Sequence, residues 1–159
     1  MSYNLNIAVV VLSLIVGAYI FLSNNKPLGE EAALDRKISK IVSKSEDGQY
    51  STEIKAHMQK RGLSKTLEDI ARTVSVPQSM PNGSTLTYVK ANGNHLYHRY
   101  EYEPGNTFDE ATAKRQLIYV LCKTSMTKTI LEAGANYHYQ YSYSQNKQAD
   151  ILVTYGDCQ

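Results

Sequence analysis

Apolar and polar positions change period four times along this chain. Leu5 to Leu22 reads LNIAVVVLSLIVGAYIFL without a charge, close to the ~20 residues a helix needs to cross a hydrocarbon core. The pattern predicts a membrane segment. Asn24 to Gly29 (NNKPLG) reads as a polar hinge broken by Pro27 and Gly29. From Glu30 to Asp47, Ala33, Leu34, Ile38, Ile41 and Val42 recur at helical spacing with Lys37, Lys40 and Lys44 between them, which predicts an amphipathic helix. Gly48 ends it. Ser51 to Lys60, with Ile54 and Met58 one turn apart, predicts a short helix, and Ser64 caps another over Lys65 to Thr73, with Leu67, Ile70, Ala71 and Val74 on one face.

At Val76 to Gly83 (VPQSMPNG) two prolines and a glycine stop the helical period. Strand patterns follow. Ser84 to Lys90 and His95 to Glu103 flank Ala91-Asn92-Gly93-Asn94, an Asn-Gly hairpin signal. Thr107-x-x-Glu110 reads as a capping box opening a helix through Cys122, and Ser125 to Ala133 as a short helix stopped by Gly134. Asn136 to Ser144 alternates strictly, with Tyr137, Tyr139, Tyr141 and Tyr143 on one face and His138, Gln140, Ser142 and Ser144 on the other. Gln145 to Gln148 turns the chain into a strand over Ala149 to Tyr155. The predicted fold class is α+β: an N-terminal transmembrane helix, then helices on one face of a small antiparallel sheet built from two hairpins. The expected divisions are an anchor over 1–23, a juxtamembrane helical region over 24–75 and an α+β domain over 76–159.

Charge narrows the partners. The 159 residues carry 17 Lys+Arg against 15 Asp+Glu, too balanced for nucleic-acid binding through phosphates. From Ser84 onward seven basic residues meet seven acidic ones, so a base-stacking platform is not expected either. Two cysteines are too few for a disulfide scaffold or an all-Cys zinc site. The apolar run lacks a basic leader and is cut internally by its one small-residue triplet, Val16-Gly17-Ala18, so an uncleaved anchor is expected over a signal peptide. With no cysteine before Cys122, a lipoprotein anchor is not expected.

Two arguments about orientation collide. Lys26, Arg36, Lys37 and Lys40 follow the segment while no Lys or Arg precedes it, which favours a cytoplasmic body. Against this, Cys122 near a helix end and the penultimate Cys158 are placed to staple a C-terminal strand, and a disulfide persists only outside the cytosol. Two buried thiols are the plain alternative. The expectation adopted is a Cys122–Cys158 disulfide and a body in the periplasm, anchored in the bacterial inner membrane.

The tyrosine alternation is the main candidate for binding. With Tyr97, Tyr100 and Tyr102 on the other hairpin, it supplies the rigid amphipathic area that protein interfaces use. The same rings can half-bury against helices, and a chain with two Phe and no Trp needs them there. The candidate partner-binding residues are therefore Tyr137, Tyr139, Tyr141 and Tyr143 on one face and His138 and Gln140 on the other. His95-x-x-His98 puts its imidazoles on opposite faces of a strand, and His57 and His138 have no neighbouring ligand in sequence. No metal and no cofactor is expected. No nucleophile motif occurs. Asp109 and Glu110 read as helix-start charges, Glu101 and Glu103 as a solvated strand edge. Asn82-Gly83-Ser84 fits the N-glycosylation pattern, which matters only on a eukaryotic secretory route.

Hairpin, helix ending in Cys122, TKTILEAG, Y-x-Y-x-Y and a strand closing on Asp157-Cys158 together resemble the small disulfide-stapled α+β domains of Gram-negative envelopes, in particular the beta-type pilotins of type II secretion. The resemblance spans about Val76 to Gln159. It implies a periplasmic α+β domain. Those pilotins are lipoproteins that escort a secretin to the outer membrane, whereas the expectation here is an apolar anchor without a lipobox cysteine. The expected function is a non-enzymatic, inner-membrane-anchored module that binds an envelope protein of a secretion, pilus or conjugation apparatus. The alternatives are a phage- or plasmid-type immunity, exclusion or inhibitor protein, and an envelope hydrolase working through Glu101, Asp109 or Glu110.

Overall fold

The computed structural model describes residues 49–80, 83–103, 108–143 and 147–159. The expected membrane segment at Leu5 to Leu22, the hinge and the Glu30 to Asp47 helix lie outside them. No described helix is long and apolar enough to cross a membrane.

Two helices come first, α1 (Gln49–Arg61) and α2 (Leu63–Thr73). They are joined by Gly62 alone, whose φ of 79° lies in the region that suits a residue without Cβ. Ser64 therefore does not cap α2 as expected. It sits inside the helix, and Gly62 holds the cap position without a side-chain bond. Thr66 compensates by donating both its amide and its hydroxyl to the Gly62 carbonyl. Asp69 of α2 fastens the pair, with His57 Nε2 at 3.0 Å and Arg61 Nε at 2.9 Å, both from α1. The hydrogen bond from His57, with the charges of Arg61 and Arg72, holds the Asp69 carboxyl below its ordinary range.

The sheet runs β1-β2-β3-β4-β5, with β1 at Gln78–Ser79, β2 at Ser84–Asn92, β3 at His95–Tyr102, β4 at Asn136–Tyr143 and β5 at Lys147–Val153. Both expected hairpins form. The sheet is nevertheless mixed and not antiparallel, because β3 and β4 pair in parallel. The reason is the connection: α3 (Glu110–Lys123) and α4 (Ser125–Glu132) cross over the sheet and return the chain to its starting end. Two residues of the proline-rich stretch also add the edge strand β1, against Leu86 and Thr85. Its two residues are too short to carry a pattern.

The start of α3 differs from expectation as well. Thr107 lies outside the described residues, and Asp109 is the cap, its carboxylate accepting from the Ala111 and Thr112 amides and the Thr112 hydroxyl. At the other end a disulfide joins Cys122, one residue before the end of α3, to Cys158 in the closing 3-10 turn Tyr155–Cys158.

Strand register sorts the side chains into rows. The inner rows are Ala91–Leu96–Tyr137–Val153, Val89–His98–Tyr139–Ile151 and Leu86–Tyr100–Tyr141–Ala149. α2 lies against β2 and β3, α3 against β5, and α1 against α2 and α4. One apolar core runs from Ile54 and Leu67 through Leu117, Leu121 and Ile130 to Val153. The helices before Val76 thus share a core with the strands after it.

Candidate functional site

Tyrosine alternation dictates two unlike faces, and the described helices cover only one. Tyr137, Tyr139 and Tyr141 are 1–2% exposed, while Tyr143 at the strand end is half-buried. Their rings form a stacked layer: Tyr139 lies 4.8 Å from His98, Tyr141 lies 5.3 Å from Tyr100, and Phe108 caps Tyr141 at 4.6 Å. Burial raises the phenol pKa values of Tyr100, Tyr137, Tyr139 and Tyr141, so these groups are neutral rings filling the helix–sheet interface. Tyr97 differs in pointing the opposite way.

His98 stands in the same layer, parallel within 6° to both Tyr137 and Tyr139. Burial lowers its pKa to about 4, opposed by a backbone hydrogen bond at His138. The unfolded chain takes up this proton near the ordinary ~6.5, while the folded chain resists to about 4, so the contribution of His98 is fully present above that window and is lost as pH drops through it, by about 3 kcal/mol. Asp69, held low, adds its own loss only below its ordinary 3.8. Urea midpoints measured at pH 7 and pH 4.5 should differ more in the native chain than in His98→Phe, which keeps the stack. An equal acid loss in both would remove His98 as the cause.

Nothing among the described residues packs on the other face of β2 to β5. Its rows read Lys90–Tyr97–His138–Leu152, Tyr88–Arg99–Gln140–Asp150 and Thr85–Glu101–Ser142–Gln148. One connected set of contacts crosses it. Arg99 lies 5.2 Å over the Tyr88 ring and donates Nη2 to Gln140 Oε1 at 3.3 Å. Gln140 Nε2 donates to Asp150 Oδ2 at 3.3 Å. The other Asp150 oxygen lies 3.5 Å from His138 Nδ1, and His138 Nε2 meets His95 Nδ1 at 3.0 Å. Tyr97 stacks on His138 at 4.5 Å. Beside this network Arg99, Glu101, Gln140, Ser142, Gln148 and Asp150 line an open cleft of about 430 Å³.

The face is thus polar, of mixed charge and already ordered. An arrangement of this kind binds without reorganising, because its side chains are held before a partner arrives. The expected pair His138 and Gln140 is here, while the tyrosine candidates of β4 are on the other side of the sheet. Arg99, Asp150 and Tyr88 escaped sequence reasoning, which met His95 only through its spacing from His98. The alternation of HLYHRYEY and ADILVTY was the available signal for His95, Arg99 and Asp150, but only strand order sets those three beside β4, with Tyr88 on β2 one strand further out. Of the carboxylates considered for hydrolysis, Asp109 is engaged as the α3 cap and Glu101 lies on this open face.

No protein-family model matches the chain, and no curated protein matches it in sequence. Solved structures do share its fold. The type II secretion pilotin EpsS of Vibrio vulnificus superposes with a TM-score of 0.51 at 13% identity, covering 71% of this chain and 98% of the pilotin. AspS, the pilotin of the type II secretion system of Vibrio cholerae, gives 0.52 at 18%, over 65% and 98%. A Pseudomonas aeruginosa protein described as secreted gives 0.54 at 21%, over 61% and 93%. The likeness to pilotins drawn from the sequence is therefore present in the fold, at a distance.

Proposed function

We propose that this chain is an extracytoplasmic, inner-membrane-anchored binding module serving a secretion apparatus of the bacterial envelope, and that it docks an envelope protein on the open face of β2 to β5. The observation that carries the reading is that face: a pre-ordered polar surface that no described element covers, on a fold shared with type II secretion pilotins. The Cys122–Cys158 bond supports an oxidising compartment. The module acts by binding and not by catalysis. Held by Leu5 to Leu22, it works at the inner membrane, in contrast to a lipoprotein escort.

Crosslinking in intact membranes, followed by identification of the adduct, separates this reading from its rivals. A component of a secretion, pilus or conjugation apparatus is the expected partner; a toxin or a phage protein would establish the immunity or exclusion reading instead. Topology has its own test. Alkaline phosphatase fused at Gln159 should be active and a cytoplasmic reporter at the same site inactive, and the reverse would return the body to the cytoplasm as the Lys/Arg distribution argues.

A further inference from the structure

Three of the four histidines lie on the sheet, and the pair that meets is not the pair close in sequence. His98 points into the core. His95 of β3 and His138 of β4 point outward, on neighbouring strands one diagonal step apart, with His95 Nδ1 and His138 Nε2 3.0 Å apart. Tyr97 stacks on His138 within 19° and fixes its plane. Behind the ring, Asp150 Oδ1 stands 3.5 Å from His138 Nδ1. A proton held on Nδ1 by that carboxylate leaves the Nε2 lone pair aimed at His95. Metal-bound imidazoles are set up in this way, with a carboxylate fixing the tautomer from the far side.

We propose that His95 and His138 form a two-imidazole site for a late first-row divalent cation, of which Zn²⁺ and Cu²⁺ are the representative probes. Imidazole nitrogen suits these ions, whereas Mg²⁺ and Ca²⁺ prefer oxygen ligands. Zinc takes imidazole nitrogen at 2.0–2.1 Å, which in a tetrahedral arrangement sets the two nitrogens about 3.3 Å apart. The rings need to part by only a few tenths of an ångström and splay. In the free protein His95 Nδ1–H donates to His138 Nε2. On binding, that proton moves through solvent to His95 Nε2, His138 keeps its proton towards Asp150, and two metal–nitrogen bonds replace one hydrogen bond with no net proton released from neutral rings. Among the described residues no three His, Cys, Asp or Glu gather at one point. The chain therefore fills two positions and leaves the rest open on the bare face, which makes this a weak, exchangeable site. It stands independently of the docking reading.

The test is calorimetric titration of the full chain in detergent micelles with Zn²⁺, and then with Cu²⁺. Saturable binding of one ion per chain below about 1 mM is expected, tighter for Cu²⁺ and indifferent to excess Mg²⁺. His95→Ala and His138→Ala should each abolish saturation. Asp150→Asn should weaken binding about tenfold, and His57→Gln, on the far side of the molecule in α1, should leave it unchanged. Nitrogen-15 NMR of the native chain needs no substitution: the His95 proton should pass from Nδ1 to Nε2 as Zn²⁺ is added. Absence of saturable binding, binding that survives either alanine variant, or an unmoved His95 tautomer at saturation would overturn the site.

Discussion

Replacing Tyr139 or Tyr141 by alanine should destabilise the fold by about 3–5 kcal/mol, the range for removing a fully buried aromatic ring. Each is 2% exposed or less, and each is packed between rings: Tyr139 stacks on His98 and Tyr137, and Tyr141 stacks on Tyr100 with Phe108 tilted against it. An alanine leaves a ring-sized void under the helices, which a close-packed interior cannot collapse to fill. Gln140→Ala, between them in sequence, should cost under about 1 kcal/mol, because it opens onto solvent and loses only two long hydrogen bonds. Tyr141→Phe adds a sharper comparison. The Tyr141 hydroxyl has no protein partner among the described residues, so its removal should be neutral or stabilising while the ring stays. Chemical denaturation followed by tyrosine fluorescence, undisturbed in a chain without Trp, gives all four values. A stable Tyr139→Ala, Tyr141→Ala double variant would contradict the buried ladder.

Loss of the Cys122–Cys158 bond should cost nearly as much. The two residues are 36 positions apart, and closing a loop of that length restricts the unfolded chain by about 4 kcal/mol on the chain-entropy account. The bond also ties the last turn to α3 and α4, against which Tyr155–Cys158 packs. Against the 5–15 kcal/mol that holds most domains together, this is a large share. Cys158→Ser should lower the oxidised protein's melting temperature strongly and the reduced protein's little. Labelling of both thiols in native, unreduced protein would refute the bond.

Local pattern carried the helices and the hairpins because their signals are local: apolar spacing in α1 and α2, Asn-Gly between β2 and β3, strict alternation in β4. It failed where the decision is made elsewhere. The parallel β3–β4 pairing depends on where α3 and α4 deliver the chain, which neither strand records. Ser64 and Thr107 each offered a good cap, yet Gly62 and Asp109 hold those positions, the first at a junction one residue long, the second with its carboxylate on the Ala111 and Thr112 amides. The candidate site shows the same division. His138 and Gln140 were legible from alternation, but the network through Arg99, Asp150 and His95 draws on three strands and needs their order and register.

Position-specific photocrosslinking in intact cells tests the docking face most directly. A photoreactive residue placed at Gln140, Ser142 or Glu101 on the bare face, or at Lys55 or Lys114 on the exposed sides of α1 and α3, reports which surface a partner covers. The account predicts one shared adduct, an envelope protein of the secretion apparatus, from the three sheet positions and none from the two helix positions. The same adduct from Lys55 and Lys114, with the sheet positions silent, would contradict it.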